Sequence, residues 1–83
     1  SEHVDNIIAS VKFSNWCDLD TISTLYDTYN IKYNKEVFPG LFIKFPQGTV
    51  ILFHSGKAVI LGSKETKDIE WLIQHVRVHI LNA

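Results

Sequence analysis

Residues 41–62 read LFIKFPQGTVILFHSGKAVILG, and the fold is decided in this stretch. Three runs, Leu41 to Phe45, Thr49 to His54 and Lys57 to Gly62, are rich in Val, Ile, Leu and Phe, residues that fit a pleated, half-buried surface. Pro46-Gln47-Gly48 and Ser55-Gly56 separate them, and such short links reverse the chain between adjacent strands. A three-strand antiparallel meander is predicted. Leu41, Ile43 and Phe45 face one way, while Ile51, Phe53, Val59 and Leu61 form a second apolar set opposite Val50, Leu52, Ala58 and Ile60. An antiparallel sheet usually alternates apolar inside with polar outside, because its open face meets water. This one is apolar on both faces, and helices can cover only one. A monomer rarely exposes so large a patch. The second face is therefore either a binding surface or the core of a self-association interface.

Before this stretch, Asn6 to Phe13 alternates with the period of a half-buried strand: Ile7, Ala9, Val11 and Phe13 on one side, Asn6, Ile8, Ser10 and Lys12 on the other. Asp18 and Asp20 offer N-cap oxygens ahead of Leu19, Ile22, Leu25, Tyr26 and Tyr29, whose spacing predicts a helix over about 18–29. Ile31 to Asn34 reads as a short extended piece, and Phe38-Pro39-Gly40 as a bend. Ser63 is the expected N-cap of a last helix with Glu65 in its first turn. Ile69, Leu72, Ile73, Val76 and Ile80 give that helix one apolar stripe to about Leu81. The order is strand, helix, short strand, three strands, helix, an α+β arrangement with no internal repeat.

The chain has 83 residues, a size that supports one core and hence one domain over 1–83. Hydrophobic residues make up 46% and charged residues 20%, which fits a globular domain and excludes a disordered one. A net charge of −1 lacks the overall basic character of a nucleic-acid clamp, but the average hides a segregation. Residues 1–36 carry six acids against three lysines, whereas no acid occurs between Val37 and Lys64. There Lys44, Lys57 and Lys64 interleave with Phe38, Phe42, Phe45 and Phe53. The single Cys17 cannot form an internal disulfide, which suggests a reducing, intracellular compartment. No apolar run approaches the roughly 18 residues that span a bilayer, so no membrane partner is expected. The chain starts on Ser1 and not Met, as expected of a piece of a longer protein.

Few residues offer chemistry. His75 and His79 stand one helical turn apart, but no carboxylate or Cys completes a ligand set, so no metal is expected. Cys17 has no neighbouring base that would make it a nucleophile. Phosphate loops, nucleophile elbows and carboxylate pairs are missing from the sequence; the expectation is no enzyme and no cofactor. Trp71 reads as packing or as an anchor for a partner protein.

A set of short motifs then points to a family. Asn6-Ile7-Ile8-Ala9-Ser10-Val11, Leu19-Asp20, Tyr33-Asn34, Phe38-Pro39-Gly40-Leu41, Ile51-Leu52-Phe53, Ser55-Gly56-Lys57 and Gly62-Ser63-Lys64 resemble, in order and spacing, one repeat of the TATA-box-binding protein family core. The resemblance covers nearly the whole chain. It implies a curved antiparallel five-stranded sheet backed on one face by two helices, half of a two-repeat saddle joined at the first strands. It further implies binding of double-stranded A·T-rich promoter DNA through the minor groove, in transcription initiation. By the same resemblance Phe38 and Phe53 are wedges that enter between base steps, and Asn6 hydrogen-bonds base acceptors near the centre of the site. Ile8, Ile51, Val59 and Leu61 lie on the groove floor, and Lys44, Ser55, Lys57 and Lys64 contact phosphates.

Two departures from the family pattern matter. Leu61 stands where the family usually has a base-bonding threonine, which implies relaxed sequence preference. On the last helix Trp71, Gln74, His75 and His79 replace much of the usual basic face, leaving Lys67 and Arg77; a transcription factor IIB-like protein or RNA polymerase machinery is the protein partner that the resemblance implies, with fewer basic contacts than the family pattern offers. A lone repeat leaves its first strand as an open sheet edge, so a homodimer, or a second repeat in a longer chain, is expected. The location implied is intracellular: nuclear if the source is eukaryotic, cytoplasmic if it is archaeal or viral. The other functional class open to the sequence is a protein-interaction module of the same fold that binds a partner chain without specific DNA binding.

Overall fold

The computed structural model describes residues 7–81. Five strands form one antiparallel sheet: β1 (Ile7–Lys12), β2 (Asn30–Lys32), β3 (Leu41–Phe45), β4 (Gly48–Leu52) and β5 (Lys57–Ser63), in the order β1-β5-β4-β3-β2. Helices α1 (Leu19–Ser23) and α2 (Thr66–His75) complete the fold. The meander anticipated over 41–62 is β3-β4-β5, and β1 and β2 are its two edges.

The strand register sorts the side chains by face, because residues directly opposite one another point the same way. One set of rows comprises Ile31, Ile43, Val50, Ile60 and Ala9, then Leu41, Leu52, Ala58 and Val11. Leu41, Ile43, Val50, Leu52, Ala58 and Ile60 lie in the core with Leu19 and Ile22 of α1 and Ile69 and Leu72 of α2. Leu72 has no exposed surface; burying such a side chain stabilises the fold by about 1.5–3 kcal/mol. Both helices therefore cover one face and leave the other open.

Several boundaries depart from the sequence reading. Strand β1 ends at Lys12, before Phe13, and β4 is Gly48–Leu52 and not Thr49 to His54, so Phe53 follows the strand, where the chain turns back toward β5. Helix α1 stops at Ser23 and passes into a 3-10 turn over Thr24–Asp27, short of the 18–29 expected. The hydroxyls of Ser23 and Thr24 donate to the carbonyls of Asp20 and Thr21, at 2.7 and 2.6 Å, and such bonds compete with helix propagation. Its start agrees: Asp18 is the N-cap and accepts from the Thr21 backbone N–H at 3.2 Å and the Thr21 hydroxyl at 2.8 Å. The Thr21 side-chain bond, then the backbone bond, holds the Asp18 carboxyl below its ordinary pKa.

Ser63 is not the cap of the last helix. It is the buried end of β5, where its hydroxyl donates to the Gln47 carbonyl at 2.8 Å, and the cap position falls to Glu65, outside the first turn, without a side-chain bond. The helix also changes winding. Over Val76–Ile80 it widens to π geometry, closed by Leu81 N–H donating to the Val76 carbonyl at 2.9 Å. The second strand lies at Asn30–Lys32 and not at Ile31–Asn34, its position set by pairing Ile31 with Ile43. Among the described residues no helix is long and apolar enough to cross a membrane.

Candidate nucleic-acid interface

The open face is built from the alternate residues of the same strands. One row runs Lys32, Phe42, Ile51, Val59, Ser10; a second joins Asn30, Lys44, Thr49 and Leu61; Lys57 and Lys12 pair beyond the first. Ile8 belongs to this face at the irregularity between Ile7 and Ala9, and is 69% exposed. Of the eleven residues that the sequence singled out, Ile8, Lys44, Ile51, Lys57, Val59 and Leu61 are thus strand residues of one face. Phe38 and Phe53 flank its Leu41/Leu52 end, and Ser55 lies in the β4–β5 turn. Lys64 is exposed just after β5, and Asn6 lies outside the described residues.

At one end of this face the aromatic side chains gather. The Phe38 ring is 6.0 Å from Phe53 and 5.6 Å from Phe42, centre to centre. Edge and tilted contacts of this kind let rings support one another without stacking flat. Phe38 remains 40% exposed. None of the three belongs to the core or to the side chains packed on it. Ile51 is 8% exposed yet also outside the core cluster, so its cover comes from its own face.

Gly40 explains how the rings approach. A Cβ there would stand 2.7 Å from both the Ile51 Cγ2 and the Phe38 Cε2 and 3.1 Å from the Phe53 Cε1. Phe42, in an open-face row, and Gly40, beneath the rings, join this group without having been singled out as site residues from the sequence. Phe42 was legible, since it alternates with Leu41 and Ile43; the closeness around Gly40 has no signal in the sequence.

The Phe53 end is also anchored from below. Phe13 N–H donates to the Gly56 carbonyl at 2.8 Å, and Cys17 N–H to the His54 carbonyl at 3.0 Å. The Cys17 thiol donates to the Phe53 carbonyl at 3.2 Å. Burial pushes that thiol above its ordinary pKa, so Cys17 is held as a protonated donor. The segment 13–17 thereby fixes the turn that carries Phe53 and Ser55.

Charge follows the same division. The open-face rows contain Lys12, Lys32, Lys44 and Lys57 and no acid. The acids Asp18 and Asp20 stand at α1, and Asp68 and Glu70 on α2, on the helix side. A chain of net charge −1 thus presents an apolar surface edged with lysines, suited to a partner that is flat, apolar in its centre and anionic at its margins.

Elsewhere the side chains build structure. Trp71 stacks on His75 with centroids 4.6 Å apart, and His75 meets His79 at 4.7 Å. The Tyr29 hydroxyl bonds the His75 Nε2 at 3.0 Å. Burial first, and the neighbouring His79 second, hold the His75 pKa below its usual value. Among the described residues no group of three or more His, Cys, Asp or Glu could hold a metal ion.

The model of the family described as transcription factor TFIID (or TATA-binding protein, TBP) matches residues 1–82. TATA-box-binding protein 3 of Methanosarcina acetivorans is 39% identical over 77 residues, spanning 90% of this chain and 42% of that protein. The TATA-box-binding protein of Methanothrix thermoacetophila is 38% identical over 82 residues, 96% of this chain and 45% of the other. The solved structure of Methanococcus jannaschii TBP superposes with a TM-score of 0.81 at 30% identity, covering 90% of this chain and 44% of that one. The chain spans less than half the length of these relatives.

Proposed function

The chain belongs to the family of TATA-binding proteins, and from that premise we propose that it is a DNA-binding factor of transcription initiation that lays its open sheet face in the minor groove of A·T-rich duplex. The observation that carries this reading is the segregation of faces: apolar strand residues in the centre, lysines around them, no acid in the rows, and two aromatic rings raised at one end. An A·T-rich minor groove has this complement: a floor of base edges that bear acceptors but no exocyclic amino group, leaving room for apolar contact, between two phosphate walls. Phe38 and Phe53 act as wedges that unstack a base step. Ile8, Ile51, Val59 and Leu61 rest on the floor; Lys44, Ser55, Lys57 and Lys64 reach phosphates, and Asn6 bonds base acceptors. Leu61 offers no hydrogen bond, so sequence preference is relaxed relative to a site that carries threonine there.

The factor works by binding and bending, without catalytic chemistry, in an intracellular setting alongside transcription machinery of the transcription factor IIB class. Its β1 is a sheet edge paired only with β5, and Ser10 and Lys12 turn their backbone groups outward. Two such edges, in two copies or in two repeats of one longer chain, pair into a continuous sheet across a two-fold axis. The interaction-module alternative rests on the overall charge, and the uneven distribution of that charge weakens it.

Titration of labelled A·T-rich duplex at low and moderate salt tests the reading. Binding that weakens steeply with salt is expected, since each neutralised phosphate contributes about −0.9 to the slope of log K against log salt. No binding at low salt contradicts it. Light scattering at high concentration is expected to give twice the chain mass; a strict monomer contradicts the homodimer.

A further inference from the structure

Lys12 and Lys57 are register partners across β1 and β5, on the open face. Their neighbours define the kind of pair. Phe13 N–H donates to the Gly56 carbonyl, which makes the pair next to it, Lys12 with Lys57, a non-hydrogen-bonded one. In such pairs the strands approach most closely and the side chains lie nearest each other. Both lysines are exposed. Like charges placed directly opposite destabilise a sheet. No carboxylate relieves them within the described residues: the ion pairs there, Lys35 with Asp20 and Lys67 with Glu65, lie elsewhere.

We propose that Lys12 and Lys57 form a two-lysine phosphate anchor, in which Lys12 adds a backbone contact beside the one that the family resemblance gives to Lys57. The inference rests on the duplex-binding reading above. Successive phosphates of one strand rise by about 3.4 Å along the duplex axis, and the opposed Cβ atoms of such a pair lie about 4.5–5.5 Å apart. The two ammonium groups can therefore follow one strand, each against its own phosphate. The repulsion carried by the free protein is relieved when the phosphates arrive. A competing explanation is that Lys12 only guards an edge strand against unwanted pairing; that role makes no demand on DNA binding.

The test uses Lys12→Gln, which keeps most of the stem and removes the charge, beside Lys12→Arg and Lys67→Gln. Without DNA, Lys12→Gln is expected to raise the melting temperature by about 1–4 °C. With A·T-rich duplex it is expected to weaken binding about fivefold to tenfold at low salt and to reduce the salt slope by about 0.9. Lys12→Arg keeps the wild-type slope, and Lys67→Gln, on the helix side, leaves it unchanged. A wild-type slope in Lys12→Gln, with the wild-type protein binding normally, overturns the anchor and leaves the duplex reading standing. A lowered slope without the thermal gain overturns the paired repulsion. If the wild-type chain binds no duplex at low salt, the underlying reading fails and the anchor with it.

Discussion

Replacing Phe38 and Phe53 together by alanine is expected to lower affinity for A·T-rich duplex by about a hundredfold or more and to abolish bending, with the fold intact. Each ring is an aromatic anchor, and truncating such an anchor commonly costs about 2 kcal/mol or more of binding, close to 30-fold by the usual conversion. The two rings touch at 6.0 Å and act on one opening, so the effects combine without being strictly additive. Neither ring belongs to the core. Stability should accordingly move far less than for a core truncation, where about 3–5 kcal/mol is typical for phenylalanine. Fluorescence anisotropy reads the affinity, energy transfer between end labels reads the bend, and thermal melting reads the fold. Retained affinity with a retained bend would show that the rings do not enter the duplex. Lost affinity together with a collapsed fold would show that they serve packing.

Gly56→Ala is expected to be the most destabilising single change in the β4–β5 turn, by about 3 kcal/mol or more. Two costs act together. Gly56 has φ +86°, and a Cβ there would collide with the Ser14 carbonyl oxygen and stand 2.6 Å from its carbon. These are backbone atoms of the segment that anchors the turn, and they cannot step aside as a side-chain tip can. Gly62 separates the two costs: its φ is +81° but nothing lies within 4 Å of a Cβ, so Gly62→Ala carries only the backbone term, about 1–2 kcal/mol. Total stability for a chain of 83 residues is roughly 4–12 kcal/mol, so Gly56→Ala removes a large share of it. Urea denaturation of both variants decides the matter. Equal midpoints would mean that the close approach to Ser14 costs nothing.

The sheet was legible because its signals are local. Val50 and Ile51, or Ile60 and Leu61, alternate between two apolar faces, and Pro46 and Ser55-Gly56 mark the reversals. From alternation alone the sequence separates Ile51, Phe53, Val59 and Leu61 from the side that α1 and α2 cover, and the register agrees for Ile51, Val59 and Leu61, the three that lie in strands. Helix ends were less legible. Ser23 and Thr24 look like ordinary helical surface, yet their hydroxyls capture carbonyls and stop the helix. Ser63 has the right chemistry for an N-cap, but its hydroxyl is taken by the Gln47 carbonyl, sixteen residues away in sequence. The Lys12–Lys57 pair and the crowding at Gly40 depend on register and ring placement, which no single segment encodes.

Three duplexes of one length test most directly whether the open face reads the minor groove: an A·T-rich site, the same site with I·C pairs, and the same site with G·C pairs. Inosine lacks the guanine 2-amino group, so I·C presents the A·T pattern in the minor groove and a G·C-like pattern in the major groove. The protein is expected to bind the A·T and I·C duplexes within a few-fold of each other and the G·C duplex far more weakly. Binding in which I·C is rejected as strongly as G·C would contradict the account.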